Sequence, residues 1–253
     1  MKISILLPYK ENFSPNYAGA VSLFVSQTVK HSNFKKDITI YGNTHYNKKL
    51  LKNYINLDLK KGILQSNSRS YVDEFIKSEL NKKSDIIEVH NRPNYIKQII
   101  NESNSKVTLY FHNDPLNMNG SMTTKQRIYL LDNLDAIIFN SHWSRKRFFI
   151  GLKKSTREIN LKTFIIHQSS SSVKINFKKK ENIISFVGKL NSAKGYDLFG
   201  DAIVQILDKH KDWKAVVFGD EHRQKLKFTH QNMKIFGFRK HTEILKYLEK
   251  VSI

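Results

Sequence analysis

Cysteine is missing from this sequence of 253 residues, and no apolar run is long enough to cross a bilayer. Without cysteine the chain cannot form disulfides or bind a metal through thiolates, which excludes disulfide-stabilised scaffolds and cysteine-based zinc modules. A membrane-spanning helix needs roughly 20 consecutive apolar residues. The apolar fraction of 40% is that of an ordinary soluble protein with a core of considerable size.

Acidic residues are scarce, with 22 against 43 basic ones, and this imbalance gives a formal net charge of +21. Such a field attracts anions of every kind. Much of the excess is lysine in a chain that is also rich in Asn and Ile, a bias that an AT-rich genome gives to any protein. The remainder suits anionic lipid headgroups, nucleotide diphosphates or nucleic acid, and charge alone does not choose among them.

Several signatures are also missing. The apolar stretch after Met1 is too short for a signal peptide and is broken by Pro8, so we expect a cytoplasmic protein whose first strand begins at once. GxGxxG and Walker sequences are absent, which removes two nucleotide fingerprints. HExxH and His-rich tracts are absent too, so the sequence predicts no metal site.

The first two thirds of the chain alternate between buried-strand patterns and helical patterns. This alternation is typical of a parallel sheet covered by helices on both faces, so residues 1–168 are predicted to form a Rossmann-like domain. The predicted strands are 2–7, 37–41, 85–90, 106–112, 135–140 and 163–167, and the predicted helices are 19–31, 70–80, 93–102, 123–133 and 141–151.

Residues 169–181 interrupt the alternation with four consecutive serines and a basic run, which is typical of a linker. A second alternating series fills residues 182–253, where a new strand would begin at the last three residues. The second domain is therefore predicted to be α/β with an incomplete sheet. Its predicted elements are strand 183–187, helix 196–210, strands 213–218 and 233–236, and helix 242–250.

The stretch IISFVGKLNSAKGYD, residues 183–197, predicts a strand, a tight basic loop and a helix. Such a junction directs unpaired N–H groups and the positive end of the helix dipole at whatever lies above the strand. Lys189 and Lys194 add charge, while Gly188 and Gly195 allow the backbone to approach a ligand. The loop is predicted to bind a phosphate-bearing ligand, the plainer alternative being a solvated lysine-rich loop.

Other candidate residues follow predicted strands, where open α/β sheets bind their ligands. His90 in EVHNRP and His112 in YFHNDP close two successive strands and are expected to point into one crevice. Gly19 precedes the first helix, and Gly219 and Gly237 follow later strands. Each residue alone could be structural: a solvated histidine or an ordinary turn glycine.

Together these motifs resemble family 4 glycosyltransferases. In that family a strand ends in Gly-Arg-Leu and Lys-Gly opens the next helix, a pattern that GKLNSAKG matches with Lys189 in place of the usual arginine. Lysine keeps the charge but loses the bidentate fork. The resemblance implies the GT-B architecture of two Rossmann-like domains and sugar transfer from a nucleotide-sugar donor, with retention of configuration and without a required metal or other cofactor.

The resemblance also implies roles for individual residues. His112 would be the catalytic residue, as a hydrogen-bond partner of a sugar hydroxyl or of the leaving phosphate. The donor diphosphate would be bound by Gly188, Lys189, Lys194 and Gly19; the base and ribose would lie near Gly219, Gly237 and Phe238; and His90, Asn91 and Arg92 would line the acceptor side.

We therefore expect a transferase that moves a sugar from a UDP- or GDP-linked donor to a glycan or lipid-linked acceptor in cell-envelope polysaccharide or lipopolysaccharide synthesis. The basic, aromatic segment 141–150 adds the expectation of a peripheral contact with an anionic membrane on its inner face. The family's later pair of glutamates, eight positions apart, has no counterpart, because Glu243 and Glu249 are six apart. A truncated chain without transferase activity is expected on this ground.

Two alternatives remain open at the level of sequence. A nucleotide-sugar epimerase of the same architecture would need more carboxylates in the cleft, where Asp114 is the obvious acidic residue beside His112. A nucleic-acid-binding protein would use the net charge of +21, but the chain shows no helix-turn-helix, RRM or zinc-finger signature and its positive charges are scattered. We therefore expect no nucleic-acid partner.

Overall fold

A computed structural model of the chain describes residues 1–59, 66–153, 161–169, 176–220 and 226–253. The chain divides into two compact units, Met1–Ser171 and Ser172–Ile253. This division falls within the segment 169–181 that the sequence assigns to a linker, of which residues 170–175 lie outside the described part.

Unit 1 is built on a parallel sheet of seven strands in the order β3-β2-β1-β4-β5-β6-β7. The Rossmann-like parallel sheet predicted from the alternating pattern is thereby confirmed. The short edge strand β3 was not predicted. The strands are β1 Ile3–Leu6, β2 Ile38–Gly42, β3 Tyr54–Asn56, β4 Ile86–His90, β5 Lys106–Phe111, β6 Ala136–Phe139 and β7 Thr163–Ile165.

Five helices cover this sheet in the described residues. Three of them begin at a side-chain cap that the sequence provides: Ser66 before α2, Thr123 before α4 in a capping box with Gln126, and Ser141 before α5. The third predicted helix opens instead as a 3-10 turn over Pro93–Tyr95. The helices are α1 Ala20–His31, α2 Asn67–Lys82, α3 Ile96–Glu102, α4 Thr124–Asn133 and α5 His142–Phe149.

The two faces of this sheet are covered unequally. One carries a large core of apolar side chains from β4, β5 and β6 packed against helices, with Leu109, Phe111 and Phe139 fully buried. On the other face α1 packs on Ile5 and Ile40 of the first two strands. Because side chains alternate along a strand, Glu88 and His90 lie on this second face, beside α1.

Unit 2 contains a parallel sheet of three strands in the order β10-β9-β8. The predicted second α/β unit is confirmed, with element bounds within two residues of those expected. Its elements are β8 Ile183–Val187, α6 Tyr196–Lys209, β9 Lys214–Phe218, β10 Met233–Ile235 and α7 His241–Leu248.

The last residues of the chain lie along the free edge of β8. Val251 forms a parallel bridge with Glu181, the N–H groups of Ser252 and Ile253 both donate to the carbonyl of Ile183, and Ser185 N–H donates to Ile253 O. The structure thus has an isolated bridge and three hydrogen bonds where the sequence predicts a new strand, and no strand is formed by these last three residues. None of the helices in the described ranges is both long enough and apolar enough to cross a membrane.

Candidate functional site

Three neighbouring strands of unit 1 end in polar residues that hold one another. The side-chain oxygen of Asn91, which follows β4, accepts from the N–H groups of His112 and Asn113 at 3.1 and 3.3 Å. Asn140, which follows β6, donates its side-chain amide to the carbonyl of His112 at 2.9 Å. Asn91 adopts a left-handed φ of +55°, a conformation that asparagine tolerates better than most residues. The backbone of His112 is therefore fixed from both sides.

The rings of His90 and His112 are in direct contact, with His90 Nδ1 and His112 Nε2 separated by 2.8 Å. Tyr110 stacks on His112 with ring centroids 4.4 Å apart, and Phe24 of α1 meets the His112 ring edge-on at 5.3 Å. His90 is fully buried, whereas His112 is only partly buried. The structure thus brings together the two histidines that the sequence places at successive strand ends.

A carboxylate that was not predicted from the sequence completes this cluster. Glu88 Oε1 lies 2.6 Å from His90 Nε2, two residues along the same strand. Side chains at i and i+2 of a strand share a face, so a glutamate two positions before a buried histidine was the available signal. On the other side, the amide nitrogen of Gln168 lies 2.5 Å from His112 Nδ1.

The surroundings of His112 keep its ring uncharged. Burial lowers the pKa of His112 most, and the neighbouring His90 lowers it further, to about 2. A neutral imidazole offers one N–H donor and one lone pair, whereas a charged one offers two donors. At neutral pH His112 therefore acts as a polar hydrogen-bonding group and not as a positive charge.

The residues predicted for an acceptor side differ in their exposure. His90 and Asn91 are buried, and the side-chain oxygen of Asn91 already accepts a hydrogen bond from the loop after β5. Arg92 is half-buried, and its guanidinium donates back to the carbonyl of Asn91 at 2.8 Å. Of the three, Arg92 is the side chain that a ligand could reach directly.

The N-terminus of α1, where Gly19 was predicted to bind phosphate, holds a carboxylate of the chain itself. Glu11 Oε1 accepts a hydrogen bond from Ser22 N–H at 3.0 Å. The same carboxylate fills the space that a β-carbon on Gly19 would need. An incoming phosphate at this helix end would therefore have to displace Glu11.

In unit 2 the loop after β8 has the predicted strand-loop-helix form. Asn191 caps a 3-10 turn over Ser192–Lys194, accepting from Lys194 N–H at 3.1 Å. Gly195 then turns the chain into α6 with a φ of +72°, which favours glycine. Lys189 and Lys194 are both exposed beside the first turn of α6. This turn also carries Asp197, whose Oδ1 is buried without a hydrogen-bond partner among the described residues.

Three strand-end glycines of unit 2 lie side by side. Gly188 N–H donates to Phe218 O, and Gly219 N–H donates to Gly237 O, both at 2.9 Å. Gly219 has a φ of +142°, and a β-carbon there would overlap the carbonyl oxygen of Gly188. The predicted diphosphate loop and the two predicted nucleotide turns thus share one edge of the sheet, where Phe238 is half-buried.

The basic helix α5 uses two of its charges within the fold. Arg147 binds the carboxylate of Asp114 through two nitrogens at 2.8 to 3.2 Å, and Arg145 donates to Thr163. Burial alone would raise the pKa of Asp114, but hydrogen bonds from Arg147 and from Leu116 N–H hold that pKa below its ordinary value. Asp114 is therefore committed to Arg147. The described residues contain no group of three or more His, Cys, Asp or Glu side chains placed to hold a metal ion.

Comparison with known proteins gives a family match for part of the chain. Residues 168–253, about a third of the sequence, match the family model of glycosyl transferases group 1. No curated protein is a significant match to the sequence. The family match contains the loop with Lys189 and Lys194 and all three strand-end glycines of unit 2.

Solved structures share the fold over nearly the whole chain. The apo form of the lipopolysaccharide outer core galactosyltransferase WaaB superimposes with a TM-score of 0.59 at 14% identity, covering 99% of this chain and 72% of that one. Anabaena HepE in complex with UDP-glucose gives 0.62 at 12% identity, covering 94% and 70%. Sucrose-phosphate synthase from Thermosynechococcus elongatus gives 0.69 at 14% identity, covering 99% and 74%. The shared fold is GT-B-like, as the sequence predicts.

Proposed function

We propose that this protein is a glycosyltransferase that moves a sugar from a nucleotide-sugar donor to a glycan or lipid-linked acceptor. The observation that carries the proposal is the loop between β8 and α6. It lies within the segment that matches the glycosyl transferases group 1 family, and it presents Lys189 and Lys194 at the start of a helix. Two ammonium groups beside a helix N-terminus suit a diphosphate.

The chemistry proposed for this loop is electrostatic. Negative charge grows on the diphosphate as the sugar departs, and Lys189, Lys194 and the end of the α6 dipole would stabilise it. The lysine at 189 acts as a point charge and lacks the planar fork of an arginine. We further propose retention of configuration and no metal requirement, on the resemblance to family 4 enzymes.

The donor we favour is a UDP-sugar. HepE, which shares the fold, is described in complex with UDP-glucose, and this supports uridine over guanosine as the first nucleotide to test. We propose cell-envelope polysaccharide or lipopolysaccharide as the product, because the structural relative WaaB is a lipopolysaccharide galactosyltransferase.

Thermal stabilisation by UDP tests the site. We expect UDP to raise the unfolding temperature of the chain, and Lys189→Ala with Lys194→Ala to abolish that shift. The matched control replaces two other exposed lysines, Lys209 at the C-terminal end of α6 and Lys214 at the start of β9, and should keep the shift. Stabilisation that survives the first double change would show that UDP binds elsewhere.

Product analysis separates the proposal from its two alternatives. A transferase consumes a UDP-sugar only as an acceptor gains the sugar, whereas an epimerase converts the donor into an isomer of equal mass. A nucleic-acid-binding protein would bind duplex DNA with a steep dependence on salt and would not respond to UDP. Isomerisation of the donor without transfer would replace the proposal by the epimerase.

An anionic membrane is proposed as a further partner, through one apolar patch of unit 1. Met122 and Ile150 are 56% and 48% exposed, and the buried guanidinium of Arg127 holds their carbonyls together at 2.7 Å each. Exposed lysines 125 and 153 border the patch. Vesicles containing phosphatidylglycerol should sediment the chain, while Met122→Asp with Ile150→Asp should leave it in solution. Equal sedimentation of the unchanged chain and the double variant would show that this patch does not bind the membrane.

A further inference from the structure

A single line of hydrogen bonds in unit 1 runs from the middle of β4 to the residues that follow β5 and β7. Glu88 Oε1 lies 2.6 Å from His90 Nε2, His90 Nδ1 lies 2.8 Å from His112 Nε2, and His112 Nδ1 lies 2.5 Å from the side-chain nitrogen of Gln168. Both nitrogens of both imidazoles are therefore engaged. Such a line restricts where protons can sit, because each contact needs one donor and one acceptor.

The Glu88 carboxylate at one end determines which atom donates and which accepts in each hydrogen bond of the line. An ionised glutamate can only accept, so His90 must carry its proton on Nε2. An uncharged His90 then has a lone pair on Nδ1, and His112 must donate to it from Nε2. The second nitrogen of His112, Nδ1, is left without a proton, as a contact with an N–H of Gln168 requires. Every member of the line is satisfied when both histidines are neutral.

Packing keeps the line in place. His90 is fully buried, its ring lies nearly parallel to Tyr110 with centroids 5.4 Å apart, and Phe24 of α1 closes the remaining side at 6.3 Å. The buried His90 ring cannot turn over and exchange its two nitrogens without disturbing these rings. The tautomer of His112 is thus coupled to a carboxylate that never touches it.

We propose that Glu88 and His90 are positioning residues that hold His112 with an unprotonated Nδ1, so that His112 accepts a hydrogen bond from a sugar hydroxyl of the ligand. This inference rests on the proposed function for the identity of the ligand. It also chooses between the two partners that the sequence leaves open for His112. A phosphate oxygen has no proton to donate and cannot bond to a lone pair, whereas a hydroxyl can.

Gln168 occupies the place of that hydroxyl in the structure. Its side chain is exposed, so a ligand can displace it at little cost in packing. The amide N–H donates to the same lone pair that a hydroxyl would use. A ligand hydroxyl in this position exchanges one donor for another and leaves the rest of the line unchanged.

The tautomers can be observed directly by long-range ¹H–¹⁵N correlation on the ¹⁵N-histidine-labelled chain. Protonated and unprotonated ring nitrogens give separate signals, independently of any enzymatic activity. We expect His90 and His112 both to carry their proton on Nε2 at pH 7.5. A proton on Nδ1 of His112, or a doubly protonated His90, would overturn the proposal.

Variants then test which residue sets the tautomer. Glu88→Gln keeps the shape but can donate as well as accept, so both histidines should become tautomer mixtures. Gln168→Ala, an exposed change that leaves Glu88 in place, should keep His112 protonated on Nε2. So should Glu102→Gln, an exposed change at the C-terminal end of α3. An unchanged His112 in Glu88→Gln, or a changed one in Gln168→Ala, would contradict the role of Glu88. The wild-type spectrum and Gln168→Ala still decide the matter if Glu88→Gln does not fold.

Ligand titration identifies the hydrogen-bond donor. UDP-glucose should shift the Nδ1 signal of His112, while UDP alone should leave it in place. A shift with UDP alone would assign His112 to the nucleotide or phosphate and overturn the assignment to a sugar hydroxyl. If neither UDP nor UDP-glucose binds to the chain, the proposed function is contradicted. The tautomers measured for His90 and His112 without ligand are not affected by that outcome.

Discussion

The carboxylate of Glu11 is packed against Gly19 at the start of α1, where only a residue without a β-carbon leaves room for it. The carboxylate of Glu11 lies where a β-carbon on Gly19 would be, and it accepts a hydrogen bond from the first turn of the helix through Ser22 N–H. A carboxylate at a helix N-terminus is favourable because it meets unpaired N–H groups and the positive end of the dipole. The place that suits a phosphate is thus filled by the chain itself.

This relationship predicts strong coupling between the two positions. Gly19→Ala should destabilise the protein by about 1 kcal/mol, because its methyl group displaces the Glu11 carboxylate and breaks that capping bond. In a Glu11→Ala background the same change should be neutral or slightly stabilising, since the backbone at Gly19 has an ordinary φ of −76°. Urea unfolding of the four proteins measures the coupling energy. Equal costs of Gly19→Ala in both backgrounds would contradict the contact.

Removing the charge of Glu11 should strengthen phosphate binding at α1. In Glu11→Gln the repulsion between the carboxylate and an incoming anion is gone, so affinity for UDP should rise by about two- to five-fold if Gly19 contacts the diphosphate. Calorimetric titration measures the change, with Glu102→Gln as a control for loss of one negative charge elsewhere in unit 1. Unchanged affinity in Glu11→Gln would remove Gly19 from the diphosphate site.

The strand-end glycines of unit 2 should respond unequally to alanine. Gly219→Ala should cost at least about 3 kcal/mol, because the new β-carbon overlaps Gly188 O and the φ of +142° is a glycine conformation. Gly237→Ala has open space and should cost only the strain of its φ of +67°, about 1–2 kcal/mol. Thermal or urea unfolding compares the two. Equal costs would show that the close approach of Gly188 and Gly219 is not maintained.

The depressed pKa of His112 predicts a loss of stability in acid. Folding holds that pKa at about 2, so the unfolded chain binds the extra proton first, from its ordinary pKa of about 6.5 downward. The contribution is fully present above pH 6.5 and is lost as pH falls toward 2. Between pH 6.5 and 5 the wild type should lose up to about 1.4 kcal/mol per pH unit more than His112→Gln. Parallel pH profiles of the two proteins would contradict a neutral His112.

The sequence predicts the positions of most strands well, because each is an apolar run separated from the next by a helical pattern. Once parallel strands are assigned, their carboxyl ends share one edge, and the contact of His90 with His112 and the adjacency of Gly188, Gly219 and Gly237 follow. The strand β3 was missed because Asn53 and Asn56 bracket its two apolar residues, so no apolar run marks it. It forms through pairing with β2 and through the stacking of Tyr54 on Phe13.

Side-chain partners across long loops were beyond sequence reasoning. The segment that joins Glu11 to Ser22 includes Tyr17 in the left-handed region, and no local pattern encodes that path. Glu88 was hidden for another reason: a charged residue inside an apolar strand is typical of a solvated face, and only the position of α1 shows that His90 beside it is buried.

Backbone amide shifts during a titration with UDP test the central claim most directly. In the ¹⁵N-labelled chain we expect the amides of Gly188, Gly195 and Gly219 to shift in proportion to occupancy. The amide signals of Lys214 and Ala215, at the N-terminal end of β9, should not shift. Shifts confined to the N-terminal ends of the strands, or none in residues 188–197, would contradict a nucleotide-diphosphate site at the C-terminal strand ends of unit 2.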